Sequence, residues 1–224
     1  MATIFFDLET LPTANAEVIA EISAGIRPPG NLKKAETIEA WERDEKPAAI
    51  LEAVKKTGLD GTFGRICCIG YAVNDEPVEA AFGDDEGACI TAFFRWLSGA
   101  SKISDYSESR QTTFAGHNVL SFDLRFLWQR CVVNRINPPS FIPFNAKPWD
   151  GKVFDTMTAW NPAREKSISL DKLCLALGIP SPKGDLDGSK VAEYWQAGRQ
   201  NEVVAYCMAD VEAVRQCHKR MMFS

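Results

Sequence analysis

Hydrophobic and polar positions predict strands in the first part of the chain and alternating helices and strands in the rest. The stretch "TIFFDLE" is typical of a buried strand, but Asp7 and Glu9 interrupt it. Because residues two apart on a strand point to the same face, both carboxylates project together beside a hydrophobic core. The predicted strands cover residues 3–9, 64–73, 77–83, 112–118 and 152–157, and the predicted helices cover residues 86–98, 121–133, 169–177, 188–197 and 201–221. This order predicts an α/β domain with a mixed sheet whose first strands are antiparallel.

Residues 14–62 form a long, polar and helix-prone segment between the first two predicted strands. Connections of this length are uncommon inside a compact domain unless they have structure of their own. We therefore predict a helical insertion at about residues 14–62 within a single domain that spans residues 1–224.

The charge balance limits the classes of partner. The chain has 25 lysine and arginine residues against 30 acids, which gives a formal net charge of −5. Proteins that bind long duplex nucleic acid are expected to be basic, so this balance argues against a protein that wraps duplex. It does not exclude a small cleft whose acids are neutralised by bound cations.

The seven cysteines bear on the compartment. Their number is odd and no two are spaced as C-x-x-C, which indicates buried reduced thiols in a cytoplasmic protein. The longest apolar stretch, "ICCIGYAV", is too short to cross a bilayer, and the N-terminus lacks the basic region of a signal peptide. We expect a cytoplasmic location and no membrane partner.

Two further carboxylates lie in apolar surroundings. Asp210 lies on the inward stripe of the predicted last helix, and Tyr206 lies one turn earlier on the same face. Asp123 lies among apolar residues near a helix start, where an acid favours the helix dipole and, taken alone, is more often a capping residue than a metal ligand. Solvated strand-edge acids are the ordinary explanation for Asp7 and Glu9. A buried arginine partner is the ordinary explanation for Asp210.

Convergence of these acids would require a compensating charge. Two unit charges about 4 Å apart repel by roughly 4 kcal/mol at an effective dielectric constant of about 20. Oxygen ligands suit Mg²⁺ or Mn²⁺, and a pair of such ions is the usual arrangement for phosphodiester displacement. The pattern therefore indicates a centre for two divalent cations.

Three short motifs resemble those of a known nuclease family. The stretches "FDLET", "HNVLSFD" and "YCMAD" are similar to the three motifs of the DEDD 3′–5′ exonucleases. Tyr206 lies four residues before Asp210 and matches the DEDDy branch, whereas the histidine branch has His where this chain has Ala205. "GRICCIGYAV", "LDKLCLALGIP" and "DLDGSKVAEYW" further resemble free-standing exonucleases related to the proofreading domain of family B DNA polymerases. The resemblance implies a ribonuclease H-like fold, a mixed five-stranded sheet flanked by helices.

The resemblance also implies a role for each matching residue. The residues implied to hold two Mg²⁺ or Mn²⁺ ions are Asp7, Glu9, Asp123 and Asp210. Tyr206 would orient the attacking water. Thr10 and Asn118 match positions that contact the substrate. Lys183, beside the loop "GDLDGS", is a further candidate contact to backbone phosphate, although a solvated turn explains it as well.

These residues predict a metal-dependent 3′–5′ exonuclease that acts on single-stranded DNA ends and releases nucleoside 5′-monophosphates. An exonuclease that trims RNA 3′ ends is the nearest alternative, because its chemistry is identical. A non-catalytic nucleic-acid-binding or polymerase-accessory module is the alternative from another class. Retention of all four acids and Tyr206 argues against that module, although fold alone never guarantees activity.

Overall fold

The computed structural model describes residues 2–99, 112–162, 167–182 and 184–224. The strands are β1 (Ala2–Leu11), β2 (Arg65–Val73), β3 (Glu79–Phe82), β4 (Thr112–Gly116) and β5 (Val153–Asp155). The helices are α1 (Ala16–Gly25), α2 (Ala35–Asp44), α3 (Lys46–Lys56), α4 (Glu86–Gly99), α5 (Asp123–Val133), α6 (Thr156–Trp160), α7 (Leu170–Leu177), α8 (Val191–Gln196) and α9 (Gln200–Met221). The predicted strands and helices are confirmed to within a few residues at their ends. The short helix α6 was not predicted from the sequence pattern.

The described strands form a five-stranded mixed sheet in the order β3-β2-β1-β4-β5. Strands β2 and β3 are antiparallel, whereas β4 runs parallel to both β1 and β5. Asn74, just after β2, pairs with Thr3 at the start of β1. Cys67, near the start of β2, contacts Glu9 near the end of β1. Strands β1 and β2 therefore run in opposite directions, which confirms the predicted antiparallel start of the sheet.

Side chains of β1 alternate between two cores. Ile4, Phe6 and Leu8 belong to a large apolar cluster that includes residues of α4 and α5. Phe5 packs on the other face with Val211 and Val214 of α9. This alternation fixes which face of β1 each later residue of the strand points to. The central strand is thus covered on both faces by helices.

A buried ion pair fixes helix α5, which begins at Asp123. The Arg130 guanidinium donates from Nε to Glu86 Oε1 at 2.9 Å and from Nη2 to Glu86 Oε2 at 2.8 Å. Glu86 Oε1 also accepts from Ile66 N at 2.7 Å, and Asn134 Nδ2 donates to Glu86 Oε2 at 2.8 Å. Both charged groups are about one-tenth exposed, and their bidentate geometry satisfies the buried charges. The pair joins α4, α5 and β2 on one side of the sheet.

The chain divides into two compact units, one of residues 1–9 and 66–224 and the other of residues 10–65. The second unit contains α1, α2, α3 and a 3-10 helix at Thr57–Leu59. Within it, Thr57 Oγ1 accepts from Thr13 N at 2.9 Å and donates to Val54 O at 2.6 Å. The helices in this segment match the predicted helix-prone composition. A single domain with an insertion at about residues 14–62 stays a prediction.

All seven cysteines are buried as free thiols. Cys174 Sγ and Cys217 Sγ lie 3.8 Å apart in the core between α7 and α9. Among the described residues, no helix is both long enough and apolar enough to span a bilayer.

Candidate metal centre

Asp7 and Glu9 lie on the face of β1 that points toward helix α9. Phe5, two residues before Asp7, packs against α9 through Val211 and Val214, and strand alternation puts the two carboxylates on the same face. Asp7 is partly buried, and Glu9 is only 6% exposed. Both acids therefore enter a core-facing position on the central strand.

Helix α9 approaches this face of the sheet closely. Cys207 Sγ lies 3.6 Å from Asp7 O and 3.8 Å from Asp7 Oδ2. On the neighbouring strand β2, a Cβ at Gly70 would lie 3.0 Å from Cys207 Sγ and 3.0 Å from Val211 Cγ2. Because Gly70 has no Cβ, helix α9 can pack closely against strand β2 at this point. Asp210 is 8% exposed and lies on the inward stripe of α9 that also contains Cys207 and Val211.

Asp123 is the first residue of α5 and is 3% exposed. Its Oδ1 accepts a hydrogen bond from Leu8 N at 3.2 Å. Because Leu8 lies between Asp7 and Glu9 in β1, this bond brings a third carboxylate beside the first two. Asp123 also lies in the first turn of α5, where an acid favours the helix dipole, so the role of Asp123 as a metal ligand stays a prediction.

The electrostatics of the four acids show that they repel one another. Burial raises the pKa of Asp7 well above its ordinary value, and the charges of Asp123, Asp210 and Glu9 raise it further. Burial likewise raises the pKa of Glu9, with additional contributions from Asp210, Cys68 and Asp123. For Asp123, burial raises the pKa to about 7, although backbone hydrogen bonds partly oppose this shift.

The donor set fits a divalent cation. Possible ligand atoms of Asp7, Glu9 and Cys207 all lie within 4.8 Å of one another. The main influences on the pKa values of Asp7 and Glu9 are burial, acids and a thiol, so bound cations would supply the missing positive charge. Carboxylate oxygens suit Mg²⁺ and Mn²⁺, whereas a thiolate suits softer metals.

Tyr206 lies on α9 one turn before Asp210 and is partly buried. Burial raises the pKa of its phenol above the ordinary range, and the charges of Asp210, Glu9 and Asp7 raise it further. The phenol therefore keeps its proton at neutral pH and acts as a hydrogen-bond donor beside the acids.

Two of the three predicted substrate contacts, Thr10 and Asn118, are among the described residues. Thr10 Oγ1 donates to Gly58 O at 2.6 Å within the unit of residues 10–65. Asn118 has a left-handed backbone with φ of 64°, and its amide N donates to Asp155 Oδ1 at 3.0 Å. Lys183 lies outside the described residues. The roles of all three stay predictions.

Sequence reasoning missed Cys207 as a neighbour of the acids. Its position on the inward stripe, three residues before Asp210, was visible, but a cysteine there is also an ordinary core residue. A hydrogen bond with Cys68 and burial raise the pKa of the Cys207 thiol well above its ordinary value. The signal that separates the two roles is the contact with Asp7, which the sequence does not contain.

Comparison with known proteins identifies the family. Residues 84–222 match a family described as predicted 3′–5′ exonucleases related to the exonuclease domain of PolB. The chain belongs to this family. The matched region includes Asp123, Tyr206 and Asp210, and it begins after Asp7 and Glu9. Membership in this family supports the identification of the chain as an exonuclease and its association with nucleic acid.

A solved structure shows the same fold. The family B DNA polymerase from the hyperthermophilic archaeon Pyrobaculum calidifontis is similar, with a TM-score of 0.59 and 13% sequence identity. The similarity covers 100% of this chain but only 24% of the polymerase chain. The ribonuclease H-like prediction, a mixed five-stranded sheet flanked by helices, is confirmed. A comparison with curated protein sequences found no match.

Proposed function

We propose that this member of the exonuclease family is a metal-dependent 3′–5′ exonuclease that hydrolyses the terminal phosphodiester bond of single-stranded DNA. The observation that carries the proposal is the set of acidic side chains whose burial and mutual repulsion raise their pKa values. Burial of such a cluster of like charges costs free energy unless bound cations compensate it. The products would be nucleoside 5′-monophosphates.

In this proposal, Asp7, Glu9, Asp123 and Asp210 hold two Mg²⁺ or Mn²⁺ ions. When bound, a pair of such ions generates a nucleophile from water and stabilises both the attacking and the leaving oxygen of the phosphodiester. The protein's contribution would be to hold the carboxylates on β1, α5 and α9; the hydrogen bond from Leu8 N to Asp123 and the packing of Phe5 against α9 support this role.

Tyr206 acts in this proposal by orientation and not as a base. Its raised pKa keeps the phenol protonated, so the hydroxyl donates a hydrogen bond to an oxygen near the acids. Such a bond helps to hold a water in line with the scissile bond, which lowers the entropic part of the barrier.

DNA is proposed as the substrate because the family is related to the exonuclease domain of a DNA polymerase. Single strands are proposed because the terminal bond must enter a site whose carboxylates are largely buried. Discrimination against RNA requires a group that senses the 2′-hydroxyl. Hydrolysis of RNA 3′ ends by the same chemistry is therefore the alternative to the proposed DNA substrate.

The test uses matched DNA and RNA oligonucleotides labelled at either the 5′ or the 3′ end, with Mg²⁺, Mn²⁺ or a chelator. We expect 5′-labelled DNA to shorten one nucleotide at a time and 3′-labelled DNA to release labelled mononucleotide at once, both only with metal. Faster cleavage of RNA would replace DNA with RNA as the substrate. No cleavage of either would contradict the proposed activity.

Asp7→Ala is the matched inactive variant for this assay. We expect it to lose activity while its melting temperature without metal equals or exceeds that of the wild type. The reason is that removing one of several crowded acids relieves repulsion in the folded state. A large loss of stability in Asp7→Ala without metal would contradict the repulsive cluster.

A further inference from the structure

Asp155, the last residue of β5, is 4% exposed, and its carboxylate accepts four backbone hydrogen bonds. Oδ1 accepts from Asn118 N at 3.0 Å, Met157 N at 3.0 Å and Thr158 N at 3.3 Å, and Oδ2 accepts from Leu120 N at 3.1 Å. One side chain thus satisfies backbone amides from two separate segments of the chain.

The two groups of bonds have different meanings. The bonds from Met157 and Thr158 are an ordinary N-cap of α6, for which one oxygen suffices. The bonds from Asn118 and Leu120 reach a segment that lies more than thirty residues earlier in the chain. An N-cap does not require these long-range hydrogen bonds, so the Asp155 carboxylate has a second structural role.

That second role concerns the turn between β4 and α5. Asn118 adopts the left-handed conformation, and its carbonyl accepts from Ser121 N at 3.1 Å and Phe122 N at 2.9 Å. At Gly116, the last residue of β4, an added Cβ would lie 2.7 Å from Val119 Cβ. The turn is therefore tightly packed and has little freedom to shift without breaking contacts.

The turn leads directly to Asp123. Helix α5 begins there, and Asp123 Oδ1 accepts from Leu8 N on the strand that carries Asp7 and Glu9. The position of the Asp123 carboxylate thus depends on where the turn places the first residue of α5.

We infer that Asp155 is a positioning residue for Asp123, because its carboxylate fixes the turn that sets where α5 begins. The inference rests on the proposed function, in which Asp123 is a metal ligand. Partners that orient metal ligands commonly contribute about 10- to 100-fold to metal affinity or activity. Asp155 itself is not proposed as a ligand or a catalytic residue.

Two other effects of Asp155 must be separated from positioning. Asp155 caps α6, and its negative charge also raises the pKa of Asp123. Three substitutions distinguish the effects. Asp155→Asn loses the charge but keeps an oxygen of the same reach, Asp155→Ser keeps a capping hydroxyl that is too short for the turn, and Asp155→Ala keeps neither.

The experiment measures the Kd of Mn²⁺ for the metal-free protein by calorimetry and, separately, kcat and KM on a single-stranded oligonucleotide. We expect Mn²⁺ affinity to fall modestly in Asp155→Asn and by about 10- to 100-fold in both Asp155→Ser and Asp155→Ala. We expect kcat to fall in the same order with little change in KM. Hydrogen exchange of the Asn118 and Leu120 amides should accelerate in Asp155→Ser.

Each alternative gives a different order. An equal loss of Mn²⁺ affinity in all three variants would indicate a charge effect. A loss in Asp155→Ala alone would indicate an effect of the cap. Either result overturns the inference. Leu97→Ala, a fully buried residue of α4, controls for lost stability and should keep the wild-type Mn²⁺ affinity. All titrations are made at a temperature at which every variant is folded.

The outcome is distinguishable from that of the proposed function. A wild-type protein that binds Mn²⁺ but cleaves no oligonucleotide would overturn the proposed activity, and the Mn²⁺ titrations would still decide the role of Asp155. A wild-type protein that binds no Mn²⁺ would overturn the inference together with the metal centre.

Discussion

At the scale of single residues, the centre shows how burial changes the chemistry of ordinary side chains. A carboxylate in water ionises near pH 4, but burial beside other acids raises the pKa of Asp123 to about 7. Burial raises the pKa of Tyr206 as well, and the charges of Asp210, Glu9 and Asp7 raise it further, so its phenol keeps its proton at neutral pH. The protonation of each of these side chains therefore depends on burial and on the charges around it.

Tyr206→Phe tests the role of the phenol. We expect kcat to fall on the order of 10- to 100-fold because the water loses one orienting hydrogen bond. The affinity for Mn²⁺ should be retained, since the ring still packs on α9 and no carboxylate is removed. Steady-state kinetics and a metal titration make the measurement.

Tyr194→Phe is the matched control, because Tyr194 lies in α8 with its ring against the Arg199 guanidinium. We expect wild-type kcat for it. An unchanged kcat in Tyr206→Phe would remove the role assigned to the hydroxyl.

At the scale of elements, the centre depends on how closely α9 packs against the sheet. Cys207 of α9 contacts Asp7 of β1, and Gly70 in β2 has no side chain at the point where Cys207 and Val211 lie. The close approach of α9 to the sheet therefore depends on one small residue of the neighbouring strand.

Gly70→Ala tests this close approach. The added methyl group would lie 3.0 Å from Cys207 Sγ and 3.2 Å from Cys207 O, so these atoms of α9 must move by a few tenths of an ångström. We expect a loss of about 1–3 kcal/mol in the free energy of unfolding, as for other overpacked cores, and reduced exonuclease activity. Denaturant unfolding and the oligonucleotide assay are the measurements.

Gly99→Ala is the matched control, since a Cβ at Gly99 in α4 would meet no described residue within 4 Å apart from its chain neighbours and the backbone of its own helix. A helical Gly-to-Ala change there should be neutral or stabilising by up to about 1 kcal/mol. Wild-type stability in Gly70→Ala would show that the helix has room that the structure does not indicate.

At the scale of the whole molecule, the acidic cluster couples metal, protons and folding. Asp123 ionises at about pH 7 in the folded protein and near its ordinary value of 3.8 in the unfolded chain. Between these values the folded protein binds more protons than the unfolded chain, so its free energy of unfolding falls as the pH rises. Cations reverse this effect because they bind the ionised carboxylates.

Melting temperatures across pH test the coupling. Without metal, we expect the contribution of Asp123 to lower the melting temperature on the order of 5 °C between about pH 4 and about pH 7. Added Mg²⁺ or Mn²⁺ should raise the melting temperature more at about pH 8 than at about pH 5.

Asp123→Asn is the necessary comparison, because its amide oxygen can still accept from Leu8 N while the charge is absent. Burial lowers the pKa of His117, which makes stability rise with pH in an overlapping range. The difference between wild type and Asp123→Asn removes that contribution. Identical pH dependence in the two proteins would contradict the raised pKa of Asp123.

Most of the strands and helices follow from local patterns in the sequence, with the short helix α6 as the exception. The apolar run in "TIFFDLE" predicted a buried strand with both acids on one face, and the stripe through Cys207, Asp210 and Val211 predicted the inward face of α9. These patterns are local, since strand and helix periods depend on residues a few positions apart. The three motifs also indicated the nuclease family, which the match over residues 84–222 then showed.

Contacts between distant parts of the chain are seen only in the folded protein. The thiol of Cys207 beside Asp7, the space at Gly70 and the reach of Asp155 to the turn at Asn118 join positions that are far apart in the chain. Nothing in the periodicity of either partner encodes such a contact. The physical reason is that close packing and burial, which set distances and pKa values, depend on all the elements that enclose a site.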